Sequence, residues 1–120
     1  MKKVSILGTG NIGCDLLVKC LKEENIQVVS FSGRHSDSKG LKFAKSYGVP
    51  ISDRSIKGII SDFEKPDIIL DATSAQAHPR NYEISKENGI RIIDMTPSQI
   101  GVSCCPVVNI KECLKKDNIN

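Results

Sequence analysis

The chain has 120 residues, 39% of them apolar and 4% aromatic, and its 17 basic against 14 acidic side chains leave a net charge of +3. That length suits one domain, residues 1–120, with a core of its own. Basic residues pair only at Lys2-Lys3 and Lys115-Lys116, too few for a nucleic-acid stripe, and no segment is apolar enough to span a bilayer, so neither partner is expected.

The apolar run after Met1-Lys2-Lys3 breaks at Gly8, too early for a secretory signal, which predicts a cytoplasmic location. Residues 4–7 read as a first strand. Residues 11–24 read as a helix with Ile12, Leu16, Leu17, Cys20 and Leu21 on one face. A second strand over 27–32 leads into a polar loop, 33–40, and a short helix over 41–47 that Gly48 should cap. After a short strand at 49–51, Ile56, Ile59, Ile60 and Phe63 form a helical stripe within 55–64. Lys65-Pro66 ends that stripe. Residues 67–70 suit a strand buried on both faces, followed by a loop over 71–78. Pro79 suits the first position of a further helix, Gly89 its cap, and residues 90–93 a fifth strand, whereas Val107-Val108 is too short to assign.

Strands alternating with helices predict an α/β fold: a doubly wound parallel sheet of the dinucleotide-binding type, with helices on both faces. Its ligand loops should lie at the carboxyl edge, at 8–13, 33–40, 71–78 and 94–105. The first of these carries the strongest motif, Gly8-Thr9-Gly10-Asn11-Ile12-Gly13, between a strand and a helix. Glycines there permit a tight turn, close approach of a pyrophosphate and close packing of helix on strand. The first amides of the helix have no internal partners and sit at its positive dipole end. A dinucleotide is therefore the expected ligand. Candidate cofactor-binding residues are Gly8, Thr9, Gly10, Asn11, Ile12 and Gly13, with Arg34 at the second strand's end and Thr73, Ser74 and Ala75 after the fourth.

The cysteines, Cys14, Cys20, Cys104, Cys105 and Cys113, are odd in number and lack metal-ligand spacing. His35 and His78 fall in separate loops, so no metal site is predicted, and reduced thiols are the simplest state.

The glycine motif extended through Cys14-Asp15-Leu16, together with Asp71-Ala72-Thr73-Ser74-Ala75-Gln76-Ala77-His78, Asp94-Met95-Thr96-Pro97 and Cys105-Pro106-Val107-Val108-Asn109, resembles the acylating acetaldehyde dehydrogenases. The likeness runs along nearly the whole chain. It implies a cofactor domain for NAD-dependent conversion of acetaldehyde and coenzyme A to acetyl-CoA. It further implies partnership with a 4-hydroxy-2-oxovalerate aldolase. In that family the acyl-forming cysteine follows a segment resembling Asp117-Asn118-Ile119-Asn120, so no catalytic residue is expected within this chain. Cys104 and Cys105 match a cysteine neighbourhood of the family that is not its nucleophile. A chain ending amid the family pattern is expected to leave apolar surface uncovered, which would favour a homo-oligomer.

Several positions depart from the pattern or leave a choice. Cys14 replaces a threonine; its thiol is either activated by the helix terminus or a small packing residue. An acid is wanted at the second strand's end for the ribose 2′-hydroxyl, and His35 stands there beside Arg34. Arg34, aided by Ser32, Ser36 and Ser38, suits a 2′-phosphate and hence NADP; alternatively Asp37 serves NAD. The hydroxyls of Thr73 and Ser74 either donate to the nicotinamide ribose or satisfy local backbone. His78 reads as a helix-start residue rather than an acid–base group. Beyond the aldehyde dehydrogenase reading stand two others: a free-standing, non-catalytic nucleotide-binding or sensing module, and a different reductase acting on semialdehydes or sugars.

Overall fold

The computed structural model describes residues 1–96. Strands and helices alternate through β1 (Lys2–Leu7), α1 (Asn11–Leu21), β2 (Ile26–Ser32), α2 (Lys39–Ser46), β3 (Ile51–Ser52), α3 (Ser55–Ser61), β4 (Ile68–Asp71), α4 (His78–Glu87) and β5 (Arg91–Asp94). The strands pair in parallel in the order β3-β2-β1-β4-β5. From β1 the chain moves outward to β2 and β3, then returns to β1's other side for β4 and β5. That reversal puts a topological switch point between β1 and β4.

Side chains alternate across each strand, and the two faces carry two cores. Val4, Ile6, Phe31, Ile68 and Leu70 face α1 and α2, where they meet Leu16, Leu17, Cys20, Leu41 and Ala44. Leu7 and Ile69 face the other way, onto Ile56, Ile59 and Ile90. Each fully buried leucine or isoleucine contributes roughly 1.5–3 kcal/mol. The second face also carries small polar residues, Ser5, Ser30, Ser32 and Ser52, all buried. Ser5 and Ser30 satisfy each other at 2.7 Å. Ser52 lies against Gly58 of α3, where a Cβ would collide with it, so α3 sits close to the sheet. Among the described residues no helix is long and apolar enough to cross a membrane.

The predicted alternation holds, while several boundaries shift for identifiable reasons. Helix α2 starts at Lys39, ahead of the predicted residue 41, because the Ser38 hydroxyl accepts a hydrogen bond from the Gly40 amide. It ends as expected: the Gly48 and Val49 amides donate back to Lys45 and Ala44 carbonyls, and Gly48 has φ +76°. The same pattern closes α4 at Gly89 and Ile90. Helix α4 begins at His78, one residue before Pro79. Helix α3 stops at Ser61, leaving Phe63 beyond it, and the predicted strand at 49–51 is the two-residue β3. One shift bears on function. Asp71, predicted to open a loop, is instead the last residue of β4, fully buried and paired in register with Asp94.

Candidate functional site

A cleft of about 300 Å³ opens at the carboxyl ends of β1, β2 and β4, over the switch point. Gly8, Thr9 and Gly10 form its floor, Gly33, Arg34, His35 and Ser55 one rim, and Thr73, Ser74, Ala77 and Asn81 the opposite rim. Three of the four predicted loops thus meet at one place. Of the fourth, 94–105, residues 97–105 lie outside the described residues, as do Pro97, Cys104, Cys105, Cys113 and the Val107-Val108 pair.

The floor is built from backbone. Gly8 adopts φ +111°, and a Cβ there would come within 2.7 Å of the Ala72 carbonyl group. Gly13 is buried where a Cβ would strike the Gly8 carbonyl, so α1 rests directly on the turn. Gly10 differs: a Cβ on it meets nothing within 4 Å. It is also the N-cap of α1, with no side-chain capping bond and no acidic residue in the first turn. The helix therefore presents unpaired amides and its positive end to open space. A diphosphate fits that cradle. Asn11 lies beside it, in an adjoining groove with Cys14, Lys39 and Phe43, while Ile12 turns back against the core.

Cys14 is a packing residue by its surroundings. Its thiol points at the Thr9 carbonyl, 3.7 Å away. Burial, and secondarily the neighbouring Asp15 carboxylate, push its pKa up, so the activation expected of a helix terminus is outweighed.

At the β2 corner, Arg34 and His35 are exposed along the cleft, and Asp37 is not among the residues that line it. The expected help from neighbouring serines is not available. The Ser32 hydroxyl donates to the Ser55 carbonyl at 2.6 Å, and that of Ser38 donates to Thr9 Oγ1 at 2.9 Å. Ser36 faces a separate cavity with Asp53 and Arg54. Ser55 takes their place on the rim, held at φ +54° where its amide donates to the Gly33 carbonyl. Sequence reading missed it because it lies some twenty positions away, at the start of α3.

The β4 rim is organised by Asp71. Its Oδ1 accepts from the Thr73 amide at 3.0 Å and the Thr73 hydroxyl at 2.5 Å. Its Oδ2 accepts from Asn81 Nδ2 at 3.1 Å and meets His78 Nδ1 at 2.8 Å. A carboxylate only accepts, so that imidazole nitrogen carries a hydrogen. Nε2 of His78 faces Asp94 Oδ2 at 3.7 Å, beyond hydrogen-bond distance, so the imidazole lies between the ends of β4 and β5. His78 is thus a helix-start residue with a structural bond, as its position suggested.

The Thr73 hydroxyl hydrogen is committed to Asp71, so Thr73 can accept from a ligand but not donate to one. Ser74 accepts from the Ala77 amide at 3.1 Å and keeps its hydrogen. Ala75 is exposed at the loop apex and does not line the cleft; Ala72 and Ala77 do. Asn81 was not foreseen. A usable signal existed: an aspartate ending a buried strand needs donors, and Asn81 shares a helix face with His78 three residues earlier.

The family described as semialdehyde dehydrogenase, NAD binding domain, matches residues 3–103. An acetaldehyde dehydrogenase of Spirochaeta aurantia is 46% identical over 118 residues, covering 98% of this chain and 40% of its own length. The chain thus spans about 40% of the length of that curated relative. Among solved structures, biliverdin reductase from Synechocystis sp. PCC 6803, in complex with biliverdin and NADP+, superposes with a TM-score of 0.64 at 29% identity. That match covers 75% of this chain and 28% of the other. GenD2 from gentamicin A biosynthesis, in complex with NAD, has a TM-score of 0.65 over 76% of this chain and 25% of its own, at 15% identity; it speaks for the fold alone. Switch-point cleft, uncapped helix and matched sequence agree: this chain belongs to the semialdehyde dehydrogenase family, as its NAD-binding domain.

Proposed function

We propose that residues 1–120 form one dinucleotide-binding domain that holds a nicotinamide dinucleotide across the switch-point cleft, its diphosphate against Gly8, Thr9, Gly10, Asn11, Ile12 and Gly13. The observation that carries this reading is the uncapped amino terminus of α1 beside the open space over Gly10. Thr73 and Ser74 flank the nicotinamide half, with Ala75 on the loop above them. Bound there, the nicotinamide supplies a two-electron acceptor for hydride. The chain's own work is to hold and orient it, and no catalytic residue is assigned within it.

Arg34 is proposed to meet the adenosine half. It lines the cleft with Ser55 and is paired with no other described residue, which supports acceptance of NADP as well as NAD. Calorimetric titration of both cofactors tests the whole reading. Dissociation constants for NAD and NADP within about tenfold of each other are expected. A larger preference for NAD removes Arg34 from the argument, and failure of both at millimolar concentration removes the cofactor reading.

For the whole enzyme we propose oxidation of acetaldehyde with coenzyme A to acetyl-CoA. A 4-hydroxy-2-oxovalerate aldolase as partner, a homo-oligomeric state and a cytoplasmic location belong to the same proposal. Acetaldehyde- and CoA-dependent reduction of either cofactor, assayed with this domain joined to a cysteine-bearing catalytic segment, checks the reaction. A semialdehyde preferred over acetaldehyde would overturn the substrate.

A further inference from the structure

Resting on that cofactor reading, we propose that Asn81 is a binding residue for the nicotinamide-side ribose, with its carboxamide oxygen turned into the cleft by the buried Asp71. Asn81 Nδ2 donates to Asp71 Oδ2 at 3.1 Å and to Thr73 Oγ1 at 3.3 Å. The carboxylate can only accept, so it fixes which end of the amide faces it. Oδ1 is left on the opposite branch of a side chain that lines the cleft, and no described residue donates to it. Asp71 itself is immobilised by its other donors, Thr73 and His78, and is fully buried. The orientation is therefore set before any ligand arrives.

Two acceptors result at one rim. Thr73 Oγ1 spends its hydrogen on Asp71 and accepts from Asn81, keeping one lone pair. Beside it stands Asn81 Oδ1. A group facing that pair must donate twice, and the vicinal hydroxyls of a ribose do so. The diphosphate cradle lies between this rim and the Arg34 corner, so the two nucleosides fall on opposite sides of the switch point. The second strand's end takes the adenosine ribose in this fold. The ribose at Asn81 is then the one on the nicotinamide side.

ADP and ADP-ribose separate the two halves, since ADP lacks the second ribose. Titrated into the 120-residue chain, Asn81→Ala should weaken ADP-ribose about fivefold and leave ADP within about twofold of the unmodified protein. In the unmodified chain, the Asn81 side-chain amide resonances should shift on adding ADP-ribose and stay in place with ADP. This second readout does not depend on how the variant folds. If Asn81→Ala weakens both ligands alike or neither, or if ADP alone moves those resonances, the ribose assignment is overturned while the cofactor reading stands. If neither ligand binds the unmodified chain, the cofactor reading falls and this proposal with it.

Discussion

The two rims of the cleft are built on opposite principles. On the β4 side the polar side chains near the ligand position are held in fixed orientations: Asp71 binds Thr73, His78 and Asn81 at 2.5–3.1 Å. On the β2 side Arg34 and His35 stand exposed, above a loop held by backbone bonds and by the Ser32 and Ser38 hydroxyls. A preorganised rim binds without reordering its own side chains, so it can be selective about geometry. An open rim must order long side chains on binding, which costs affinity but tolerates ligands that differ at one substituent. In the proposed binding mode the fixed rim takes the part that NAD and NADP share, and the free rim takes the 2′-position where they differ.

The sharpest way to break this contrast is to remove its hub. Asp71→Ala leaves four donors unanswered in a buried setting, and the expected loss of stability is about 3–5 kcal/mol by urea denaturation. Asp71→Asn offers one acceptor and turns an NH2 toward other donors, for an expected loss of about 1–3 kcal/mol. A loss below about 0.5 kcal/mol for Asp71→Ala would mean that the rim is held by backbone alone. The next effect lies where the rims join. Gly13→Ala drives a Cβ into the Gly8 carbonyl, which backbone cannot yield without tilting α1. An expected loss of about 1–3 kcal/mol comes with weakened binding of both cofactors alike. Selective loss of one cofactor would contradict the placement of the diphosphate.

What could be read from the sequence follows the same division. The glycine turn was legible because backbone geometry restricts residue type: only glycine tolerates Gly8's conformation and Gly13's contact. The alternating elements were legible from buried periodicity, and Gly48 and Gly89 from capping. The Asp71 network was not. Asp71, His78 and Asn81 are individually ordinary, and their meeting depends on β4 ending one residue later than its apolar run suggests. The serines of the second loop misled for a related reason. Composition counted Ser32, Ser36 and Ser38 as available hydroxyls, while folding committed two of them and turned the third to another cavity.

At the open rim, substitution should change recognition without touching the fold. Arg34→Ala is expected to alter stability by less than about 0.5 kcal/mol, since the side chain is exposed and pairs with no other described residue. NADP should bind about tenfold more weakly, equivalent to about 1.4 kcal/mol, with NAD within about twofold. Equal weakening of both cofactors would place Arg34 over the adenine ring instead of at the phosphate.

The smallest effect concerns Cys14, which sits just beyond the floor between the rims. Because burial and, secondarily, Asp15 push its pKa above that of an ordinary thiol, less of it is thiolate at pH 8 than of a free cysteine. Iodoacetamide should label it more slowly than a model thiol. The rate for Cys14 should keep climbing to higher pH than that of the free thiol. Adding NAD should slow labelling further, because the groove that Cys14 lines also holds Thr9, Gly10 and Asn11. Unchanged labelling with bound cofactor would show that the diphosphate leaves this groove open and that the two rims alone grip the ligand.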